Sequence, residues 1–190
     1  MNARTCNKGY KVMVELMKNE LVYDIKNTAY SFAESENIIS TKAGQVEAMP
    51  ETLEQVYTIG EDGNREKLAR ILDSAVEDCM ELLFRFCKME MRGGGFDSNE
   101  WEECVGSPTN DEEAYYLAML MPIGFSKTSV HTMTVYMHDY IVYECLYEWM
   151  MIVYPNGAER FKVLAEDKKQ KMKDASNRTA GRERIRLHPF

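Results

Sequence analysis

His131, His138 and Cys145 recur at intervals of seven residues, and imidazole and thiolate are the usual zinc ligands. The interval itself excludes a shared ion. Seven helical residues rise about 10.5 Å, whereas zinc ligands lie about 2.0–2.3 Å from the metal. Neither an HExxH nor a Glu-x-x-His pair is present. Glu144 and Glu148 stand one helical turn apart, as a carboxylate pair for acid–base work would. With no histidine at i+3 and no matching second pair, they are expected to be salt-bridged or solvated.

From Gly93 to Glu113 there are seven acidic residues and no basic one. The EF-hand order is missing, so a solvated acidic loop is expected in place of a calcium site. Gly93–Gly95 fit neither GxGxxG nor GxxxxGK[ST], so they read as a helix stop and an open turn, not a phosphate cradle. His131, His138 and His188 have no evident catalytic company in sequence. No metal, no cofactor and no enzymatic activity are expected.

The elements follow from hydrophobic period. Residues 10–33 predict a helix, with Met13, Leu16, Met17, Leu21, Ile25, Ala29 and Phe32 at three- and four-residue steps. Residues 34–50 lose the period and predict a loop. Asn64 is a candidate N-cap for a second helix, apolar at Leu68, Ile71, Leu72, Ala75, Cys79, Leu82, Leu83 and Phe86. Residues 113–121 fit a short extended segment or a last helical turn, and the extended form is favoured.

Ser126 is placed to cap a long helix over 127–154, with Phe125 folding over Val130 as a staple. Its apolar residues cover nearly the whole circumference, so it must be central. At about 42 Å it is long enough for a bilayer, but Asp139, Glu144 and Glu148 make a membrane span too costly. Tyr140, Tyr143, Tyr147 and Trp149 suit either a core or a contact between subunits. Pro155 ends that helix. A last one from Gly157, striped by Phe161, Leu164, Ala165, Lys168 and Met172, packs antiparallel on it.

The predicted fold is mainly α: a bundle of about four helices with long loops, room for one short strand or hairpin, and an extended C-terminal tail. Residues 1–177 form the helical domain and 178–190 a basic arm. Net charge is −8, unevenly spread. Residues 156–190 hold 10 basic and 5 acidic side chains, against 13 and 26 before them. The acidic body argues against coating nucleic acid, while the tail leaves room for a local contact with phosphate or an acidic surface. In the arm, Arg178, Arg182, Arg184 and Arg186 surround the apolar anchors Ile185, Leu187 and Phe190, a pattern suited to docking on a partner. Five cysteines with no CxxC, and no export signal, suggest a reducing cytoplasm.

The order of "NELVYDIKNTAY", "DGNREKLARILDSAVEDC", "GFSKTSVHTM" and "YMHDYIVYECLYEWMMIVYP", then a charged helix and a basic tail, resembles small structural proteins of phages and prophages of gut Bacteroides-type bacteria. Some of these are head–tail connector (adaptor) subunits, helical bundles that form a ring under the portal and send a C-terminal arm into a neighbour. The resemblance implies a virion protein made in the host cytoplasm, whose partners are its own copies, portal and tail proteins. DNA would pass through the channel without sequence-specific binding. The alternative is a cytoplasmic regulatory or interaction module that binds protein or nucleic acid through the basic tail.

Overall fold

The computed structural model describes residues 10–42, 56, 58–84, 88–91, 103–105, 114–121, 125–126 and 128–178. In chain order these form β1 (Tyr10–Met17), α1 (Lys18–Lys42), two 3-10 turns (Thr58–Gly60 and Asp62–Asn64) and α2 (Arg65–Phe84). The strands β2 (Lys88–Met91), β3 (Glu103–Val105) and β4 (Ala114–Met121) follow, then α3 (Thr128–Val153) and α4 (Pro155–Ser176). The protein is mainly helical, with four long helices and a four-stranded sheet ordered β2-β4-β1-β3, one face of which joins the helical core.

The sheet is larger than the single strand or hairpin expected, and its middle holds the main departure from the sequence. Residues 10–17 are a strand, not the start of a helix. "YKVMVELM" satisfies both periods, since Met13, Leu16 and Met17 fit helical steps while Val12, Val14 and Leu16 alternate. Pairing decides between them. All eight residues are in antiparallel register with β4, from Tyr10 opposite Met121 to Met17 opposite Ala114. Val12, Val14, Leu16, Tyr115, Leu117, Met119 and Met121 thereby join the helical core, whereas Met13, Ala114 and Tyr116 cluster on the opposite face. The extended form favoured for 113–121 is thus a strand at the centre of the sheet. β3 pairs with β1 in parallel and β2 with β4 antiparallel.

Helix α1 starts at Lys18 and continues to Lys42, through a stretch expected to be loop. Leu21, Ile25, Ala29, Phe32 and Ala33 form its buried stripe. In α2 the buried positions are Leu68, Ile71, Leu72, Ala75, Val76, Cys79 and Leu83, the amphipathic face that the period predicts. Asn64 does not serve as the side-chain cap expected, since its Nδ2 donates to the Thr58 carbonyl at 2.9 Å. That bond ties the two 3-10 turns together.

Helix α3 touches the other three helices and the sheet, and its residues from Val130 to Met150 supply much of the common core. Phe125 and Val130 are both buried in that core. At the helix start the Ser126 carbonyl accepts the Ser129 N–H at 2.8 Å, while the Ser126 hydroxyl pairs with Thr128 Oγ1 at 2.9 Å.

Pro155 does not delay α4 until Gly157 as expected. It is itself the first residue of α4, where its missing N–H costs nothing. Tyr154 alone joins the two helices, at φ −146° and ψ 71°. The antiparallel packing is read from cross-helix partners: Lys168 meets Asp139 and Lys162 meets Tyr147.

The tight joint needs a small residue beside it. A Cβ on Gly157 would lie 2.6 Å from Phe32 Cζ and 2.6 Å from Tyr154 Cδ1, and the Phe32 ring also packs edge-on against Phe161 at 5.3 Å. Gly157→Ala is therefore expected to destabilise the fold by about 1–3 kcal/mol, the usual cost of overpacking. Urea unfolding followed by circular dichroism measures this, and an unchanged or raised midpoint would contradict the packing at the joint.

Candidate functional site

The aromatic residues singled out on α3 divide by depth. Tyr140 and Trp149 are buried, while Tyr143 and Tyr147 are half-buried at the edge of the core. Lysines of α4 cover the tyrosine edge: Lys162 Nζ lies 5.8 Å from the Tyr147 ring centre and Lys168 Nζ 5.7 Å from that of Tyr136, distances at which ammonium and ring attract. Among the described residues Trp149 Nε1 is buried without a hydrogen-bond partner, and Lys67 Nζ sits 5.0 Å from its ring centre. Of the basic arm, Arg178 is exposed and its carbonyl accepts the Ser126 N–H at 3.0 Å. Arg182, Arg184, Ile185, Arg186, Leu187 and Phe190 lie outside the described residues, as do the glycines at 93–95 and most of the acidic loop.

Glu144 and Glu148 acquire a neighbour that sequence spacing does not reveal. Asp78, on α2, brings its carboxylate to them, and one oxygen from each lies within 4.8 Å of the other two. Its neighbour Cys79 is buried in the core, with Sγ 3.7 Å from Met172 Sδ of α4. Asp78 and Glu144 border a groove of about 700 Å³ between α2 and α4, floored by Tyr140 and Tyr147 and walled by Lys162, Lys169 and Lys173.

Glu144 and Glu148 form no ion pair among the described residues. Burial raises the Glu144 pKa, helped by the charges of Glu148 and Asp78. Glu148 is raised by burial and then by Asp78. Three oxygens at this spacing can ligate one hard cation or share a proton.

A second polar chain crosses the bundle on α3. Asp24 Oδ2 of α1 lies 3.5 Å from His138 Nε2, His138 Nδ1 lies 4.0 Å from Asp139 Oδ1, and Asp139 Oδ2 accepts from Lys168 Nζ of α4 at 2.6 Å. The neighbouring His138 and then the hydrogen bond from Lys168 hold the Asp139 pKa below its ordinary value. The same bond to Asp139 raises that of Lys168. His138, without company in sequence, thus lies between carboxylates of two helices.

Tyr115 donates a short hydrogen bond to Asp73, with Lys18 Nζ 4.6 Å from its ring centre. Burial and the Asp73 contact push the Tyr115 pKa upward, and burial does the same to Cys145. The hydroxyl and thiol stay protonated, so neither is an activated nucleophile. Among the described residues, no helix is long and apolar enough to cross a membrane.

The two charge arrangements respond to pH with opposite signs. A carboxyl raised in the fold loses stabilisation as pH rises through its folded value, whereas one lowered in the fold loses it as pH falls. Glu144→Gln is therefore expected to gain on the parent as pH rises above the ordinary carboxylate range, reaching about 0.5 kcal/mol, the scale of like-charge neighbours on helices. Lys168→Met should cost about 1 kcal/mol or less at neutral pH, as for an ion pair near the surface, with the difference closing in acid. Urea midpoints across pH test both, and a pH-independent gap in either variant would refute its assignment. Compared with protein-family models, curated proteins and solved structures, the chain matches none.

Proposed function

We propose that the chain is a virion assembly subunit of head–tail connector type, whose copies form a ring joining portal to tail. The observation that carries this proposal is the set of large apolar side chains left on the outside of a body whose core is already filled. Tyr23 and Tyr30 on α1 are 67% and 52% exposed, Met151 and Ile152 at the end of α3 are 49% and 57%, and Val163 on α4 is 66%. Exposed aromatic and aliphatic side chains grouped on helices are what subunit contacts bury.

Two further features support an assembly role over a catalytic one. The Tyr115 and Tyr140 hydroxyls and the Cys145 thiol are shifted away from reactivity by burial. The acidic charge before the last helix suits a wall past which double-stranded DNA slides without sticking.

Mass photometry and negative-stain electron microscopy of the purified full chain, alone and with the portal protein of the same genome, are expected to show rings or portal-bound copies. A strict monomer that ignores portal would overturn the proposal. Salt-sensitive DNA binding by that monomer would instead favour an interaction module acting through its basic tail.

A further inference from the structure

Tyr140, Glu144 and Glu148 follow one another at four-residue steps on α3, so their side chains leave the same face of that helix. Asp78 of α2 closes the set, with one oxygen of each acid within 4.8 Å of the other two. Asp78 is exposed and the two glutamates are half-buried, so the carboxylates meet at the edge of the bundle with a path to solvent. Among the described residues none of the three forms an ion pair. The lysines along the groove leave them unmatched. Lys169 offsets part of the charge on Glu144 but is itself paired with Glu166 at 3.1 Å, Lys162 lies over the Tyr147 ring, and Lys173 reaches none of the three acids in an ion pair.

A group other than the acids is also left unsatisfied there. Tyr140 is 4% exposed and lines the groove, and its hydroxyl has no hydrogen bond among the described residues. A buried tyrosine ordinarily finds a partner for its O–H, as Tyr115 finds Asp73. With the ring sealed in the core, the hydroxyl is the part of Tyr140 that reaches the groove, beside the charges of Glu144 and Asp78.

We propose that Asp78, Glu144 and Glu148 bind a calcium ion, with the Tyr140 hydroxyl holding a water of its shell. Ligand type, spacing and charge agree. Hard cations take carboxylate oxygens, and two oxygens on one calcium ion lie up to about 5 Å apart, against about 4.2 Å on magnesium. Magnesium also demands a near-ideal octahedron and is usually held by one or two carboxylates, whereas calcium accepts an irregular set completed by water. The ion supplies the counter-charge that the three acids lack and ties α2 to α3. Tyr140 is a positioning residue, acting on the ion through water. The site stands on these residues alone and does not depend on the assembly role proposed above.

The test is calorimetric titration of the full chain with calcium chloride at neutral pH, after treatment with chelator and exchange into metal-free buffer. One saturable site is expected, with Kd on the order of 10⁻⁴ M, toward the weak end of the calcium range because the site is open and has three protein ligands. Asp78→Asn, Glu144→Gln and Glu148→Gln should each weaken binding about 10-fold or more, and Tyr140→Phe about 10-fold, as loss of an outer partner does. Glu81→Gln, on the same groove but outside the three, should bind as the parent does. The amide variants are expected to fold, since each removes one of three mutually repelling charges.

Urea midpoints separate binding at this site from binding elsewhere on an acidic chain. Calcium should raise the midpoint of the parent and leave that of Glu144→Gln where it is. Absent binding, magnesium bound as tightly as calcium, or calcium binding that survives the three amide changes would overturn the calcium site. An unchanged Kd in Tyr140→Phe would overturn the part given to its hydroxyl.

Discussion

Burial of α3 is the constraint on which the rest of the molecule depends. A helix with Met133, Met137, Ile141, Cys145, Leu146, Trp149 and Met150 inside it cannot be covered by one neighbour, and three helices and a sheet surround it. Each fully buried aliphatic side chain contributes about 1.5–3 kcal/mol relative to exposure. Covering all sides of α3 therefore outweighs the local preferences of the segments that do the covering. Polar groups on the helix are placed where a neighbour can meet them: Asp139 under Lys168, His138 beside Asp24, Tyr140 and Glu144 along the α2–α4 groove.

Much of the helical architecture was legible in the sequence because period reports burial directly. The stripe of α2, the central place of α3 and its antiparallel partner α4 all follow from it. The strand β1 was not. Its eight residues carry both periods, and the partner that decides between them, β4, lies about a hundred residues away. The continuation of α1 past Ala33 was hidden for another reason: serine and asparagine signal loops by their local hydrogen bonding, yet the backbone stays helical to Lys42. At the other joint, Pro155 was correctly seen as an interruption, but its fitness for a first helical position erased the expected gap.

The candidate sites were less readable still, because they are made across helices. Glu144 and Glu148 show their pairing by spacing, but Asp78 reaches them only through the packing of α2 on α3. Asp24 meets His138 in the same way. A groove along α1 combines that helix with the turn at Ile59–Asp62 and the start of α2, three segments whose adjacency no local pattern announces. Exposed tyrosines on a predicted helix face were the available signal. Tyr23 and Tyr30, seven residues apart, fall off the apolar stripe of α1 and are exposed.

The one-residue joint at Tyr154 bears on the order in which the molecule assembles. With no loop between them, α3 and α4 are close in sequence wherever they touch, and partners such as Asp139 and Lys168 meet at small closure cost. The registry of β1 with β4 must instead wait for nearly two thirds of the chain to be gathered in. Low contact order favours early formation. The C-terminal hairpin is thus the natural nucleus, and β1, although it precedes the other described elements in the chain, is among the last segments to find its place.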